Sequence, residues 1–172
     1  MKFILIDKVI ALDRGARLRA VKSVSLAEEY LADHFPAFPV LPGVLLLQGL
    51  IESASWLVRD CQDFAHSMVL LNRARNVKYK SFAAPGTQIE YRVEALDIED
   101  AASRFKAAGY CHDEAVVEAR IELRHFNLAD RDPKWVAVDQ QVIHALRDRW
   151  KLLYVPGRAE PVQPARTADE RE

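Results

Sequence analysis

The stretch Asp33-His34-Phe35-Pro36-Ala37-Phe38-Pro39-Val40-Leu41-Pro42-Gly43-Val44 places a histidine, two spaced prolines and a Pro-Gly step in close succession. Imidazole changes charge near neutral pH, so His34 suits taking up a proton from a reacting group and returning it. Pro36 and Pro39 fix their own φ and stiffen the chain that holds His34. Pro42-Gly43 opens the longest apolar segment, and proline is favoured at the first turn of a helix, where its missing N–H is not needed. At such a helix start the N–H groups of Gly43 and Val44 have no intrahelical acceptor. They are good donors to an oxygen on which negative charge develops. Glycine at 43 lets another group approach the backbone closely. Further along the same segment Gln48 and Glu52 stand at i and i+4, on one helix face. An amide can orient water or a hydroxyl, whereas a carboxyl can also deliver a proton. These residue types together suit proton transfer beside a group that gathers negative charge.

The elements that must position them follow from periodicity. Residues 3–12 and 16–24 alternate as strands, with Asp13-Arg14-Gly15 as the turn between them. Residues 25–33 read as a short helix or turn, with Ser25 and Glu28 spaced as a capping box. From Pro42 to about residue 60, valine and leucine fall on nearly every side, which predicts a buried central helix of about 19 residues. Residues 68–81, 88–97, 103–112 and 115–126 each fit a strand, with a turn at Pro85-Gly86 and a hairpin at His112-Asp113-Glu114. Two strands, one helix and four more strands imply an antiparallel sheet wrapped around that helix, the last four as a meander. Residues 129–133 form a polar linker, and 139–153 a second helix with Val142, Leu146, Trp150 and Leu153 on one stripe. The division expected is 1–127 for the sheet-and-helix domain, 128–155 for linker and C-terminal helix, and 156–172 for a disordered tail.

Composition excludes several classes. The 172 residues are 50% apolar and carry 24 basic against 25 acidic side chains, net −1. This balance gives no global reason to expect nucleic acid or an anionic membrane as a partner. The apolar run at the N-terminus stops at Asp7-Lys8, too short for a signal core, and no segment reaches the length of a membrane span. Cys61 and Cys111 have no zinc-ligand spacing. A cytoplasmic protein without a metal is expected.

The string from His34 to Gly43 resembles the active-site segment of the bacterial 3-hydroxyacyl-acyl-carrier-protein dehydratases of the FabZ and FabA types, which read His-Phe-x-x-x-Pro-x-x-Pro-Gly-x-x-x-x-(Glu or Asp). The stretch from Asn76 to Gln88 resembles the strand and turn that follow in the same family, and the likeness covers roughly residues 5–126. The resemblance implies an α+β hot-dog fold, here with an added C-terminal helix, in a homodimer or larger dimer-based assembly. Each site would lie at the dimer interface, with the histidine from one subunit and the acid from the other's helix. It implies dehydration of a 3-hydroxyacyl chain on the phosphopantetheine of acyl carrier protein to the trans-2-enoyl thioester, with no further cofactor. His34 would be catalytic, and Phe35, Phe38, Pro42, Gly43 and Val44 would contact substrate.

The sequence departs from the family at one position. Fourteen residues after His34 (48 − 34 = 14), the acid position holds Gln48, and the family's Glu-x-x-x-Gln becomes Gln48-Gly-Leu-Ile-Glu52. Gln48 and Glu52 both enter the candidate catalytic set, Glu52 as an acid moved by one turn or as half of an interface ion pair. Two other activities stay open: thioester hydrolysis with Gln48 positioning water, and acyl binding without catalysis. Among the remaining residues, His66, His112, His125 and His144 are expected at the surface. Arg73, Arg75, Lys78 and Lys80 form either a solvated strand edge or a docking patch for an acidic carrier. The Trp150 stripe is expected to pack on the sheet or the partner subunit, or else to act as a lid.

Overall fold

The computed structural model describes residues 4–35 and 37–157. Its elements are β1 (Lys8–Asp13), β2 (Arg17–Ser23), α1 (Glu29–Asp33), α2 (Gly43–Cys61), β3 (Met68–Tyr79), β4 (Gln88–Ile98), β5 (Ala102–Cys111), β6 (Glu114–Phe126) and α3 (Val136–Leu153). Six strands form one antiparallel sheet in the order β1-β2-β4-β5-β6-β3. Period-2 burial in β2, β4 and β5 turns Leu18, Ala20, Ile89, Tyr91, Val93, Phe105 and Ala107 onto one face. Helix α2 lies against that face and buries Leu46, Leu50, Ala54, Leu57 and Val58 there. A helix apolar nearly all round needs such an enclosure, which the sheet's curvature supplies. No helix among the described residues is long and apolar enough to cross a membrane.

The last four strands are not a simple meander. Only β4, β5 and β6 follow one another as neighbours, while β3 pairs with β6 at the far edge. Connection length explains the difference. The β4–β5 and β5–β6 links are three and two residues long, so those strands must lie side by side. Residues 80–87 make a longer link that carries the chain from one edge back to β2, closing on a turn at Pro85-Gly86, where Gly86 takes φ +87°. The expected hairpin turn at Asp13-Arg14-Gly15 forms, with Gly15 at φ +75°.

Three local expectations are corrected. Only one arm of the Ser25–Glu28 capping box forms, the Ser25 N–H donating to the Glu28 carboxylate at 3.4 Å. The Ser25 hydroxyl accepts from the Ala27 N–H, Glu28 itself is the N-cap residue, and α1 begins only at Glu29. The C-terminal helix starts at Val136, three residues early, because two 3₁₀ turns at Leu128–Asp130 and Pro133–Trp135 lead the chain directly into it. Asp139 then falls in its first turn, buried, accepting from the Leu128 and Ala129 N–H groups at 3.0 and 2.8 Å and from the Ser67 hydroxyl. His125 is buried rather than superficial. Its Nε2 lies 2.8 Å from the Ser103 hydroxyl and its Nδ1 3.2 Å from the Asp100 carbonyl, and burial holds the ring below its ordinary pKa. The tail expected from 156 onward lies outside the described residues after Gly157.

The seat of α2 on the sheet depends on Gly49. A Cβ there would stand 2.3 Å from the ring of the buried Tyr91, and one at Gly109 would stand 2.9 Å from Val117 and 3.3 Å from the same ring. Tyr91 is thus wedged between two glycines. Gly49→Ala is expected to destabilise the fold by about 1–3 kcal/mol, the usual range for overpacking, despite alanine's better helix propensity. Thermal unfolding checks this, and an unchanged or raised Tm would contradict it.

Candidate active site

His34 caps the C-terminal end of the five-residue α1, half-buried, with an extended backbone. Phe35 follows at φ +50°, a left-handed conformation that phenylalanine rarely adopts, and its ring lies 4.4 Å from the imidazole. The Phe38 N–H donates to the Phe35 carbonyl at 2.8 Å, and the Leu41 N–H to the Ala83 carbonyl at 2.8 Å. The loop that carries His34 is therefore closed by a local turn and anchored at its far end, and backbone strain concentrates at the residue next to the histidine. Phe38 packs edge-on against Phe82 at 5.7 Å, and both rings are exposed.

Pro42 is the N-cap of α2, and its carbonyl accepts the first helical bonds, from the Leu45 and Leu46 N–H groups. Gly43 and Val44 precede those bonds, so their N–H groups stay unpaired within the helix. Val44 is exposed, and a Cβ at Gly43 would stand 3.1 Å from the Tyr79 ring at the end of β3. The close approach that glycine permits at 43 is made by that ring. His34, Phe35, Phe38, Pro42, Gly43 and Val44 thus share one short, partly exposed region.

Gln48 and Glu52 lie further down α2 and line a cavity of about 300 Å³ with Trp56, Arg59, Leu71 and Arg149. Gln48 is exposed at its rim. Glu52 is half-buried, and its Oε2 accepts from the Leu5 N–H at 2.9 Å. Burial pushes the Glu52 carboxyl above its ordinary pKa; the Leu5 N–H, the Trp56 indole, Arg149 and Arg59 all oppose that shift without cancelling it. His34 of the same chain does not line this cavity.

Helix α3 forms one wall of the cavity with Leu146 and Arg149. Trp150 of its stripe stacks on Trp56 of the central helix at 5.5 Å and on Tyr154 at 5.2 Å, while α3 also meets β1 of the sheet. Of the basic run on β3, Arg75 and Lys80 pair with Glu122 and Glu118 of β6 at 3.3 and 2.7 Å. Arg59 and Arg149 were missed by motif reasoning. The signal was present, since 48, 52, 55 and 59 are polar at i, i+4, i+7 and i+11 within an otherwise apolar helix.

Comparison with known proteins follows the same segment. The family model for the FabA-like domain matches residues 1–120. The 3-hydroxyacyl-[acyl-carrier-protein] dehydratase FabZ of Albidiferax ferrireducens is 35% identical over 122 residues, covering 69% of this chain and 81% of that protein. The FabZ of Symbiobacterium thermophilum is 30% identical over 131 residues, covering 76% and 92%. Among solved structures, the dehydratase heterocomplex ApeI:P from Xenorhabdus doucetiae superposes with a TM-score of 0.62 at 17% identity, over 73% of this chain and 85% of that one. A thioesterase from Haemophilus influenzae superposes with a TM-score of 0.54 at 14% identity, over 70% and 78%. These two likenesses concern the fold.

Proposed function

This chain belongs to the FabA-like family, whose matched relatives are 3-hydroxyacyl-[acyl-carrier-protein] dehydratases, and from that membership we propose how its residues remove water. It dehydrates a 3-hydroxyacyl thioester to the enoyl thioester, in fatty-acid or related acyl-chain synthesis. In our reading the imidazole of His34 takes the proton from the carbon next to the thioester carbonyl. Negative charge moves to the thioester oxygen, where the N–H groups of Gly43 and Val44 meet it. The double bond forms as the C3–O bond breaks, and the hydroxyl departs as water with the proton that His34 took from C2 and returns to it. Gln48 positions that hydroxyl. Phe35, Phe38 and Pro42 flank the chain. No cofactor is needed beyond the phosphopantetheine that carries the substrate on acyl carrier protein, and we place the reaction in the cytoplasm.

The observation that carries this reading is the pinned His34 loop running directly into the open N-terminus of α2, in a chain 35% identical to a dehydratase of that name over 122 residues. The test is to incubate the purified protein with 3-hydroxyacyl and crotonyl thioesters and read products by mass spectrometry. Enoyl product from the first and hydrated product from the second are expected. Free acid alone would point to hydrolysis with Gln48 orienting water, and affinity without turnover to a binding role.

The site also needs a second subunit. His34 lies away from the cavity that Gln48 lines, and β3 is a 12-residue edge strand with Leu70, Leu71 and Tyr79 exposed. An edge of that length and apolar content calls for a cover. We propose that β3 pairs with its copy in a homodimer, bringing His34 of the partner subunit toward Gln48. Light scattering is expected to give twice the chain mass. A concentration-independent monomer would sink the two-chain site.

A further inference from the structure

The cavity beside Gln48 has a lining ill-suited to a plain hydrocarbon. Arg59 lies eleven residues past Gln48 on the same face of α2, about 16 Å along the axis. Its Nε is closed to solvent and finds no hydrogen-bond partner. The guanidinium carbon lies 5.5 Å from the Trp56 ring, and Glu52 is near enough to act on its charge. The Trp56 indole N–H is buried on the same wall, beside the Glu52 carboxylate. Arg149 reaches the same cavity from α3. Glu52 can balance one of these two cations, which leaves one positive charge over. Burial draws the Arg59 guanidinium down to about 10, with Glu52 opposing, so it stays charged at neutral pH. Its place in the last turn of α2 suits the helix dipole but supplies no acceptor for its Nε–H.

A buried N–H on a charged group without an acceptor costs stability unless something completes it. We propose that the cavity receives the far end of the acyl chain, and that this end carries a carboxylate held by Arg59 and Arg149. A guanidinium offers two parallel N–H donors that match the two oxygens of a carboxylate. The inference rests on the dehydratase reading only in that the chain arrives past Gln48 as an acyl thioester. An alkyl end would leave the Arg59 donors facing hydrocarbon.

The experiment is isothermal titration calorimetry of the full chain with two probes: decanoyl-pantetheine, and the pantetheine monothioester of the dicarboxylic acid of the same chain length. The carboxylate-ended probe is expected to bind about tenfold tighter or better, the usual worth of hydrogen bonds to a charged group. Arg59→Met keeps the side-chain stem, removes the buried charge and is expected to fold. It should erase the preference while retaining the decanoyl probe. Arg149→Gln, on the half-exposed rim, should reduce the preference and carries the same comparison if Arg59→Met fails to fold. Equal affinities in the wild type, a preference for decanoyl, no binding of either probe, or a preference unchanged in the folded variants would each overturn the proposal. Both probes lack the 3-hydroxyl, so binding is read apart from turnover. A failed dehydration assay leaves a carboxylate preference standing, and equal binding leaves the dehydratase reading standing.

Discussion

His34→Ala is expected to abolish turnover and to leave the fold in place. A positioned general base contributes about 10²–10⁴-fold, and Phe35, Phe38 and Pro42 beside it carry no titratable group. The alanine variant should therefore lose at least about 10²-fold in kcat. KM should change little if His34 acts only as the carbon–hydrogen bond breaks. The fold should survive because no core contact depends on the ring. It lies at the end of a five-residue helix, and its recorded ring neighbour is the exposed Phe35. The loop keeps its pins at Phe35, Phe38 and Leu41, all of them backbone bonds. Unfolding should shift by no more than about 0.5 kcal/mol, as for surface substitutions generally. Full activity in a folded His34→Ala protein would remove the histidine from the mechanism. Loss of activity together with a lower Tm would make its role structural.

The parts of this molecule that were legible in its sequence are those where one local rule decides the outcome. Pro42-Gly43 ahead of an apolar run specifies a buried helix start, and α2 begins at Gly43. Alternation specifies β4 and β5, whose polar residues face outward. What was not legible depends on contacts between distant segments. Nothing in residues 68–79 says that this strand joins β6 and forms an edge; that follows from the length of the 80–87 link. His125 and Asp139 look like surface residues, yet each is buried against groups 22 or more residues away, Ser103 and Ser67. The left-handed Phe35 could not be foreseen either, since strain at a non-glycine residue is imposed by the surrounding fold. Arg59 was visible as a charge on a buried helix, but the cavity it faces exists only once α3 folds back over Trp56.

Gln48→Glu is expected to raise the rate of dehydration, and Glu52→Gln to lower it only slightly. Gln48 stands exposed at the cavity rim, where the family's acid stands, whereas Glu52 sits one turn deeper with one oxygen engaged by the Leu5 N–H. One turn is about 5.4 Å, and misplacement by about 1 Å can already cost 10²-fold. A carboxyl at 48 would also have the right protonation state. It would stand at i and i+4 from Glu52, and like charges raise both pKa values. Glu52 already sits above its ordinary value through burial. More of the new carboxyl would then be in its acid form near neutral pH, ready to protonate the leaving hydroxyl. A gain of about 10²-fold is expected, part of the 10²–10⁴-fold that a general acid supplies. Glu52→Gln keeps an acceptor for the Leu5 N–H and should cost less than about tenfold, the scale of one neutral-for-charged exchange in a hydrogen bond. The opposite assignment has its own signature. If Glu52 is the working acid, its raised pKa means that activity falls as pH rises through that pKa, and Glu52→Gln flattens this limb by silencing the enzyme. The deciding measurement is dehydration by wild type, Gln48→Glu and Glu52→Gln across pH on one 3-hydroxyacyl thioester. A Gln48→Glu protein no faster than wild type, beside a dead Glu52→Gln, would show that the acid has moved one turn along α2.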